Sequence, residues 1–239
     1  MPGCDPDALV ARLAPLDLRS RLDPPAIARA EGRPLDDPGP FLDHVEAGLF
    51  PEPGSPLAAV LGPATACPVD RRRLVASSVG FQAVVAQVAT PVVLAERLVG
   101  RGLDARFDDV RWRADGWTVR YGLSELRSGR VRPLPTALAD LVDDVVAPWV
   151  DTVAAHTTIG RRLLWGNAAA SLLAAVRSLD RLAPLGAAAS GAAVAAIEDA
   201  LPERRLVEPD GSRTTCCLIP WAGLAPCDEC GRPVTVAAG

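Results

Sequence analysis

The chain has 239 residues, 49% of them hydrophobic, and a formal net charge of −4. This length accommodates one large domain or two small ones, and the apolar content is sufficient to bury a core without disulfides or metal ions. The mildly acidic balance, with arginine but no lysine and no basic stripe interleaved with aromatics, argues against a nucleic-acid-binding protein.

The sequence predicts neither a targeting segment nor a membrane span. Residues 1–10 contain two aspartates and lack the basic and apolar regions of a secretory signal. The longest apolar stretches, 74–94 and 183–197, are either interrupted by Gln and Pro or short and rich in alanine. We therefore expect a cytoplasmic protein without an integral membrane segment, in a compartment where thiols stay reduced.

The first 68 residues are rich in Pro, Gly and Asp and show only short helical patterns, at 7–13 and 40–48. We interpret residues 1–68 as a loosely organised lead-in that can still pack on the body. From Asp70, a candidate helix N-cap, apolar residues recur at helical spacing as far as Pro91. This proline is expected to kink the helix or to begin a second one.

A β-hairpin is predicted at 104–122. Hydrophobic residues alternate on both sides of the sequence Ala-Asp-Gly at 114–116, which is typical of a hairpin turn. Helical periodicity then returns over 136–153, 159–182 and 187–201. These segments predict three antiparallel helices joined by short breaks.

Together these patterns predict a predominantly helical α+β fold. Residues 69–205 form the expected helical body, which carries the small antiparallel hairpin. Residues 206–239 form a cysteine-rich C-terminal cap, and residues 1–68 precede the body as the lead-in.

Four of the six cysteines lie within fifteen positions of the C-terminal cap. Cys216 and Cys217 are adjacent, nine residues follow, and Cys227 and Cys230 form a Cys-x-x-Cys turn. Such a turn directs two thiolates to one side of a tight loop. Two further thiolates complete a four-coordinate site for one zinc ion or a ligand set for the two irons of a [2Fe–2S] cluster.

The adjacent pair favours the cluster over zinc. Structural zinc sites usually take both ligand pairs from Cys-x₂₋₄-Cys turns, whereas neighbouring residues in an extended chain point to opposite faces. Adjacent cysteines therefore close on one small ion only with strain, while a two-iron cluster accepts sulfurs from a wider spread of directions. A structural zinc site and a Cys227–Cys230 redox disulfide stay open as alternatives. We interpret the isolated Cys4 and Cys67 as incidental thiols.

The C-terminal run at 213–230 resembles the motif of the FhuF-type ferric-siderophore reductases, Cys-Cys-x₁₀-Cys-x₂-Cys, with a spacer of nine residues in place of ten. The patch Arg-Arg-Leu-Leu-Trp-Gly-Asn-Ala-Ala at 161–169 also resembles this family. The two segments together span the C-terminal part of the chain.

The resemblance implies a cytoplasmic oxidoreductase of iron homeostasis. Its four cysteines would hold a [2Fe–2S] cluster that reduces iron(III) bound to a hydroxamate-type siderophore and releases iron(II). No Gly-x-Gly-x-x-Gly follows a predicted strand, so the electrons are expected from a partner such as a ferredoxin or a reductase. Two alternatives belong to other functional classes: a zinc-stabilised non-catalytic binding module, and an iron–sulfur protein that senses iron or redox state.

Four further residues are candidates for a substrate or cluster pocket: Arg162, Trp165, Asn167 and Trp221. The alternative for the Trp-Gly-Asn patch is structural, with Gly166 allowing close helix packing and Asn167 satisfying a nearby backbone group. Arginine runs at 71–73, 161–162 and 204–205 are candidates for steering an acidic partner or binding substrate carboxylates, although most charge runs are solvated faces.

Overall fold

Helices dominate the architecture in the computed structural model of the chain. The structure describes residues 32–52, 67–94, 102–115, 118–125, 127–208, 214–215 and 218. The helices are α1 (Gly39–Leu49), α2 (Val69–Leu94), α3 (Leu134–Leu141), α4 (Ala147–His156), α5 (Arg161–Leu182) and α6 (Ala187–Ala200). The strands are β1 (Arg33–Pro34), β2 (Gly102–Asp104), β3 (Val110–Asp115), β4 (Thr118–Leu123) and β5 (Arg127–Gly129). The prediction of a mostly helical fold with a small antiparallel sheet is confirmed, whereas the cysteines of the predicted cap lie outside the described residues.

Helices α2 and α5 pack side by side and form the centre of the fold. Hydrogen bonds join Asn167 to Ser78 and, four residues further along both helices, Ser171 to Gln82. Because both partners advance in the same direction, the two helices are parallel. Helix α5 carries small side chains that are fully buried: Ala168, Ala169, Ala170 and Ala175. Small side chains let helix axes approach closely, which explains the alanine-rich sequence of this segment.

Helix α2 continues through Pro91 and ends at Leu94. Within the described residues, the expected second helix does not begin at this proline. A proline inside a helix removes one backbone hydrogen bond and crowds the preceding turn. Pro91 lies in the last turn, and its neighbours Val92 and Val93 are buried in the core. Burial of that turn therefore offsets the lost hydrogen bond.

The helix predicted at 136–153 is present, but one turn of π-helix at Val142–Val146 separates α3 from α4. The N–H of Ala147 bonds to the carbonyl of Val142, five residues earlier. Pro148 follows and has no N–H to donate. The wider π-turn accommodates the helix at the position where this backbone donor is missing. The other two predicted helices are confirmed as α5 and α6.

The predicted hairpin is confirmed, because β3 and β4 pair antiparallel with Trp112 opposite Tyr121. Two further pairings were not predicted. Strand β1 adds to β3 to give the order β1-β3-β4, and β2 pairs with β5 in a separate two-stranded sheet. These strands are two or three residues long, too short to show the alternation from which strands are predicted.

One main core joins the helices, the hairpin and α1. Trp149 of α4 is fully buried, and its ring centroid lies 5.7 to 6.2 Å from those of Phe41, Phe81 and Phe107. Phe41 also meets Trp112 of β3 edge-on at 5.5 Å. The described part of the lead-in therefore shares its core with the body.

Among the described residues, one segment is long and apolar enough to cross a membrane by length and composition, namely Val69–Val93 of α2. Its most apolar window is 72% buried inside the fold. The central helix of a soluble protein has the same features, so this segment is weak evidence for a membrane span.

Candidate functional site

Five of the predicted site residues lie outside the described residues: Cys216, Cys217, Cys227, Cys230 and Trp221. The expected convergence of the four cysteines therefore stays a prediction. The described residues that flank the adjacent pair are Thr214 and Thr215 on one side and Leu218 on the other.

Two hydrogen bonds attach Thr214 to the body. Its backbone N–H donates to the carbonyl of Leu206 at 3.0 Å, and its hydroxyl donates to the carbonyl of Arg205 at 2.8 Å. Leu206 is fully buried in the main core. The N–H of Val207 donates to the carboxylate of Glu198 on α6 at 2.7 Å. The segment that leads to the cysteines is thus tied to the end of α6.

Thr215, the residue before Cys216, packs against Gly166 of α5. A Cβ atom placed on Gly166 would lie 2.8 Å from the Cβ of Thr215, and closer still to its hydroxyl oxygen. Both separations are well inside van der Waals contact, so only glycine leaves room for the threonine side chain. Gly166 therefore accommodates the side chain of Thr215 in the C-terminal segment.

The hydroxyl oxygen of Thr215 is buried and has no hydrogen-bond partner among the described residues. Buried hydroxyls in folded proteins nearly always have a partner, because leaving one unpaired costs about 1–3 kcal/mol. The predicted thiolate ligands begin one residue further along the chain. An unpaired buried donor in this position fits a group that presents sulfur acceptors.

Leu218 packs on a small hydrophobic cluster that is separate from the main core and that we call the Phe50 patch. The patch consists of Phe50, Cys67 and Val75, with Leu49, Val79 and Leu218 packed against it. Leu218 has a φ of 62°, in the left-handed region, which costs a residue with a Cβ roughly 1–2 kcal/mol. Packing on the Phe50 patch compensates for this cost. The adjacent cysteines are therefore covalently joined to an anchored residue on each side.

Cys67 and Arg72 lie at the Phe50 patch. Burial raises the pKa of the Cys67 thiol, an effect that the positive charge of Arg72 partly offsets, so the thiol is neutral at pH 7. The guanidinium carbon of Arg72 lies 5.4 Å from the centre of the Phe50 ring, a cation–π contact. Its Nε atom is buried and, in the described part of the chain, has no hydrogen-bond partner. A positive charge therefore lies close to the surface on which Leu218 packs.

Trp165 and Asn167, two of the pocket candidates, are engaged inside the fold. Trp165 is buried in the main core. Asn167 is fully buried, and its Nδ2 donates to the hydroxyl of Ser78 at 2.8 Å and to the carbonyl of the same residue at 3.3 Å. Asn167 thus stabilises the pairing of α2 and α5.

Several arginines of the predicted runs pair with carboxylates. Arg162 donates to the carboxylate of Glu203 at 3.2 Å and to the carbonyl of Arg205 at 3.4 Å. It therefore holds the segment that leads to the cysteines. Arg161 and Arg73 also pair with acidic side chains of neighbouring helices.

Thr215 and Arg72 are the site residues that the sequence did not identify individually. The one local signal for Thr215 is its position directly before the adjacent cysteines. Arg72 lies inside a run of three arginines, and only the fold distinguishes it from its neighbours by turning it towards Phe50.

No family model and no curated protein matches the chain. Within the part of the chain that the structure describes, no group of three or more His, Cys, Asp or Glu side chains could hold a metal ion. The candidate ligands therefore stay the four C-terminal cysteines identified from the sequence.

Proposed function

We propose that this protein is an iron–sulfur ferric-siderophore reductase in which the four C-terminal cysteines hold a [2Fe–2S] cluster. The observation that carries the proposal is the anchoring of the chain on both sides of the adjacent pair. Thr215 packs on Gly166 and Leu218 packs on the Phe50 patch. Anchored flanks reduce the chain entropy that is lost when ligands close on a metal group.

The surroundings of the anchored residues also suit a thiolate-ligated group. Such a group carries negative charge, and its sulfurs accept hydrogen bonds. The guanidinium of Arg72 supplies nearby positive charge, and the hydroxyl of Thr215 is a buried donor without a partner among the described residues. The adjacency of Cys216 and Cys217 favours two irons over a single zinc ion.

The proposed substrate is iron(III) held by the hydroxamate oxygens of a siderophore. These hard ligands bind iron(III) far more tightly than iron(II), so the addition of one electron loosens the metal. The cluster, when bound, supplies that electron singly and at low potential. The chain holds the thiolates in place, and its exposed Arg204 and Arg205 provide positive charge for steering an acidic electron donor.

An anaerobic single-turnover measurement tests the proposal. Protein reduced with dithionite and freed of excess reductant is mixed with a ferric hydroxamate complex and an iron(II) chelator. We expect the visible spectrum to return to that of the oxidised protein, with iron(II) trapped in an amount equal to the electrons lost. The variant Cys227→Ser, prepared in the same way, should transfer none.

Two results would contradict the proposal and point to different functions. A colourless protein with stoichiometric zinc would support a zinc-stabilised binding module. A protein that holds a cluster but stays reduced in excess ferric hydroxamate would support an iron or redox sensor.

A further inference from the structure

We infer that Arg162 is a positioning residue, which clamps the backbone of Arg205 in a left-handed conformation and so fixes the path of the segment that leads to the cysteines. This role rests on the proposed function, because it makes Arg162 a support of the cysteine segment and not a part of the substrate pocket. The contacts that carry it all join described residues.

The backbone of Arg205 is in a conformation that an arginine rarely adopts. Its φ of 58° makes it one of two left-handed residues other than glycine in the described part of the chain. A residue with a Cβ is disfavoured roughly tenfold in this conformation. The side chain of Arg205 is exposed, so its own packing does little to offset this cost. Strain of this kind persists only where the surroundings hold the backbone in place.

Two donors hold the carbonyl group of Arg205. Nη2 of Arg162 donates to this oxygen at 3.4 Å, and the hydroxyl of Thr214 donates to it at 2.8 Å. Nη1 of Arg162 donates to the carboxylate of Glu203 at 3.2 Å. An exposed ion pair contributes little by itself. Because the guanidinium is a planar fork, however, the bond to Glu203 directs its other amino group at the carbonyl.

The clamped carbonyl lies at the point where the C-terminal segment attaches to the body. The next residue, Leu206, is fully buried, and its carbonyl accepts the N–H of Thr214 at 3.0 Å. A change in the backbone of Arg205 would turn its carbonyl away from Thr214 and redirect the chain at Leu206. The clamp therefore controls both hydrogen bonds of Thr214, a residue two positions before Cys216.

Hydrogen exchange at the Thr214 amide in the full chain tests this role, because the exchange rate reports how often the segment detaches. We expect Arg162→Ala to raise this rate about tenfold and to lower the iron content per chain. Arg205→Gly should slow the exchange, since glycine adopts the left-handed conformation without a steric cost. Adding Arg205→Gly to Arg162→Ala should therefore restore both the protection of Thr214 and the iron content.

Two neighbouring arginines provide matched controls. Arg161 pairs with Asp151 of α4, so Arg161→Ala should leave the exchange of Thr214 unchanged. Arg204→Gly in the Arg162→Ala background removes the same charge as Arg205→Gly, at a residue whose φ is not positive. It should restore nothing, because glycine at an ordinary position only adds chain entropy to the detached state.

The outcomes separate this inference from the proposed function. Unchanged exchange in Arg162→Ala, or equal rescue by Arg204→Gly and Arg205→Gly, would overturn the clamp. Faster exchange with full iron content would show that the clamp does not position the ligands. A raised KM for a ferric hydroxamate that Arg205→Gly does not restore would return Arg162 to the substrate pocket. Wild-type protein without iron would overturn the proposed function, whereas the exchange rates would still decide whether the clamp exists.

Discussion

At the scale of single residues, Asn167 and Ser78 form a hydrogen-bonded polar pair in the interface between α2 and α5. Such a pair stabilises the fold only while both members are present, because an orphaned buried polar group keeps its desolvation cost. One helical turn further on, the hydroxyl of Ser171 donates to the carbonyl of Gln82 at 3.2 Å. The two contacts fix the position of one helix along the other.

Replacing Asn167 by alanine should lower the free energy of unfolding by about 1–3 kcal/mol, because Ser78 loses the buried hydrogen bonds that Asn167 donates to it. The double variant Asn167→Ala, Ser78→Ala should recover part of this loss, since one of the orphaned groups is then removed. Urea unfolding followed by circular dichroism measures both effects. Unchanged stability in Asn167→Ala together with weaker binding of a ferric hydroxamate would instead identify Asn167 as a pocket residue.

At the scale of elements, Thr215 of the C-terminal segment packs on α5 at Gly166, which has no side chain. Intrinsic propensity predicts that alanine in place of Gly166 should stabilise the helix by about 1 kcal/mol. The structure predicts the opposite, because the added methyl group displaces Thr215. We expect Gly166→Ala to lower the melting temperature and to increase protease cleavage near the C-terminus.

A matched glycine in α6 provides the control for this prediction. A Cβ at Gly191 would meet nothing within 4 Å, so Gly191→Ala should stabilise by up to about 1 kcal/mol. Thr215→Gly in the Gly166→Ala background should restore protection of the C-terminal segment, because it removes the atoms that collide. If Gly166→Ala and Gly191→Ala stabilise the protein equally, the contact between Gly166 and Thr215 does not exist.

The sequence correctly predicts those elements in which the hydrophobic period repeats over many residues. Helix α5 shows its apolar period over six turns, and the β3–β4 hairpin shows alternation on both sides of a turn. Strand β1 has two residues and shows no period, so its pairing depends on tertiary contacts. The π-turn at Val142–Val146 arises because Pro148 lacks an N–H, a local effect that a helical period does not reveal.

At the scale of the whole molecule, the described helices and hairpin share one main core. Trp149 and the phenylalanines around it bring together α1, α2 and α4, while Thr215 packs on α5 and Leu218 packs on the Phe50 patch. The cysteine site stays a prediction, which rests on rare residues clustered in a ligand spacing. The contact between Gly166 and Thr215 could not be predicted, because it joins residues far apart in the sequence and depends on an absent side chain.

The size of the core predicts how the cysteine variants behave under the proposed function. Replacing a proposed ligand should remove the proposed cluster and leave the helical circular dichroism spectrum unchanged, because the core is large enough to fold alone. The expected ligand variants are Cys216→Ser, Cys217→Ser, Cys227→Ser and Cys230→Ser. The controls Cys4→Ser and Cys67→Ser should retain the full metal content, since neither residue belongs to the motif.

Iron and acid-labile sulfide, counted per chain in anaerobically purified protein, test the central claim most directly. The account predicts about two irons and two sulfides in the wild-type protein and in both control variants. It predicts loss of both elements in each of the four ligand variants, with the fold intact. Stoichiometric zinc without iron in the wild-type protein, or full iron content in any ligand variant, would contradict it.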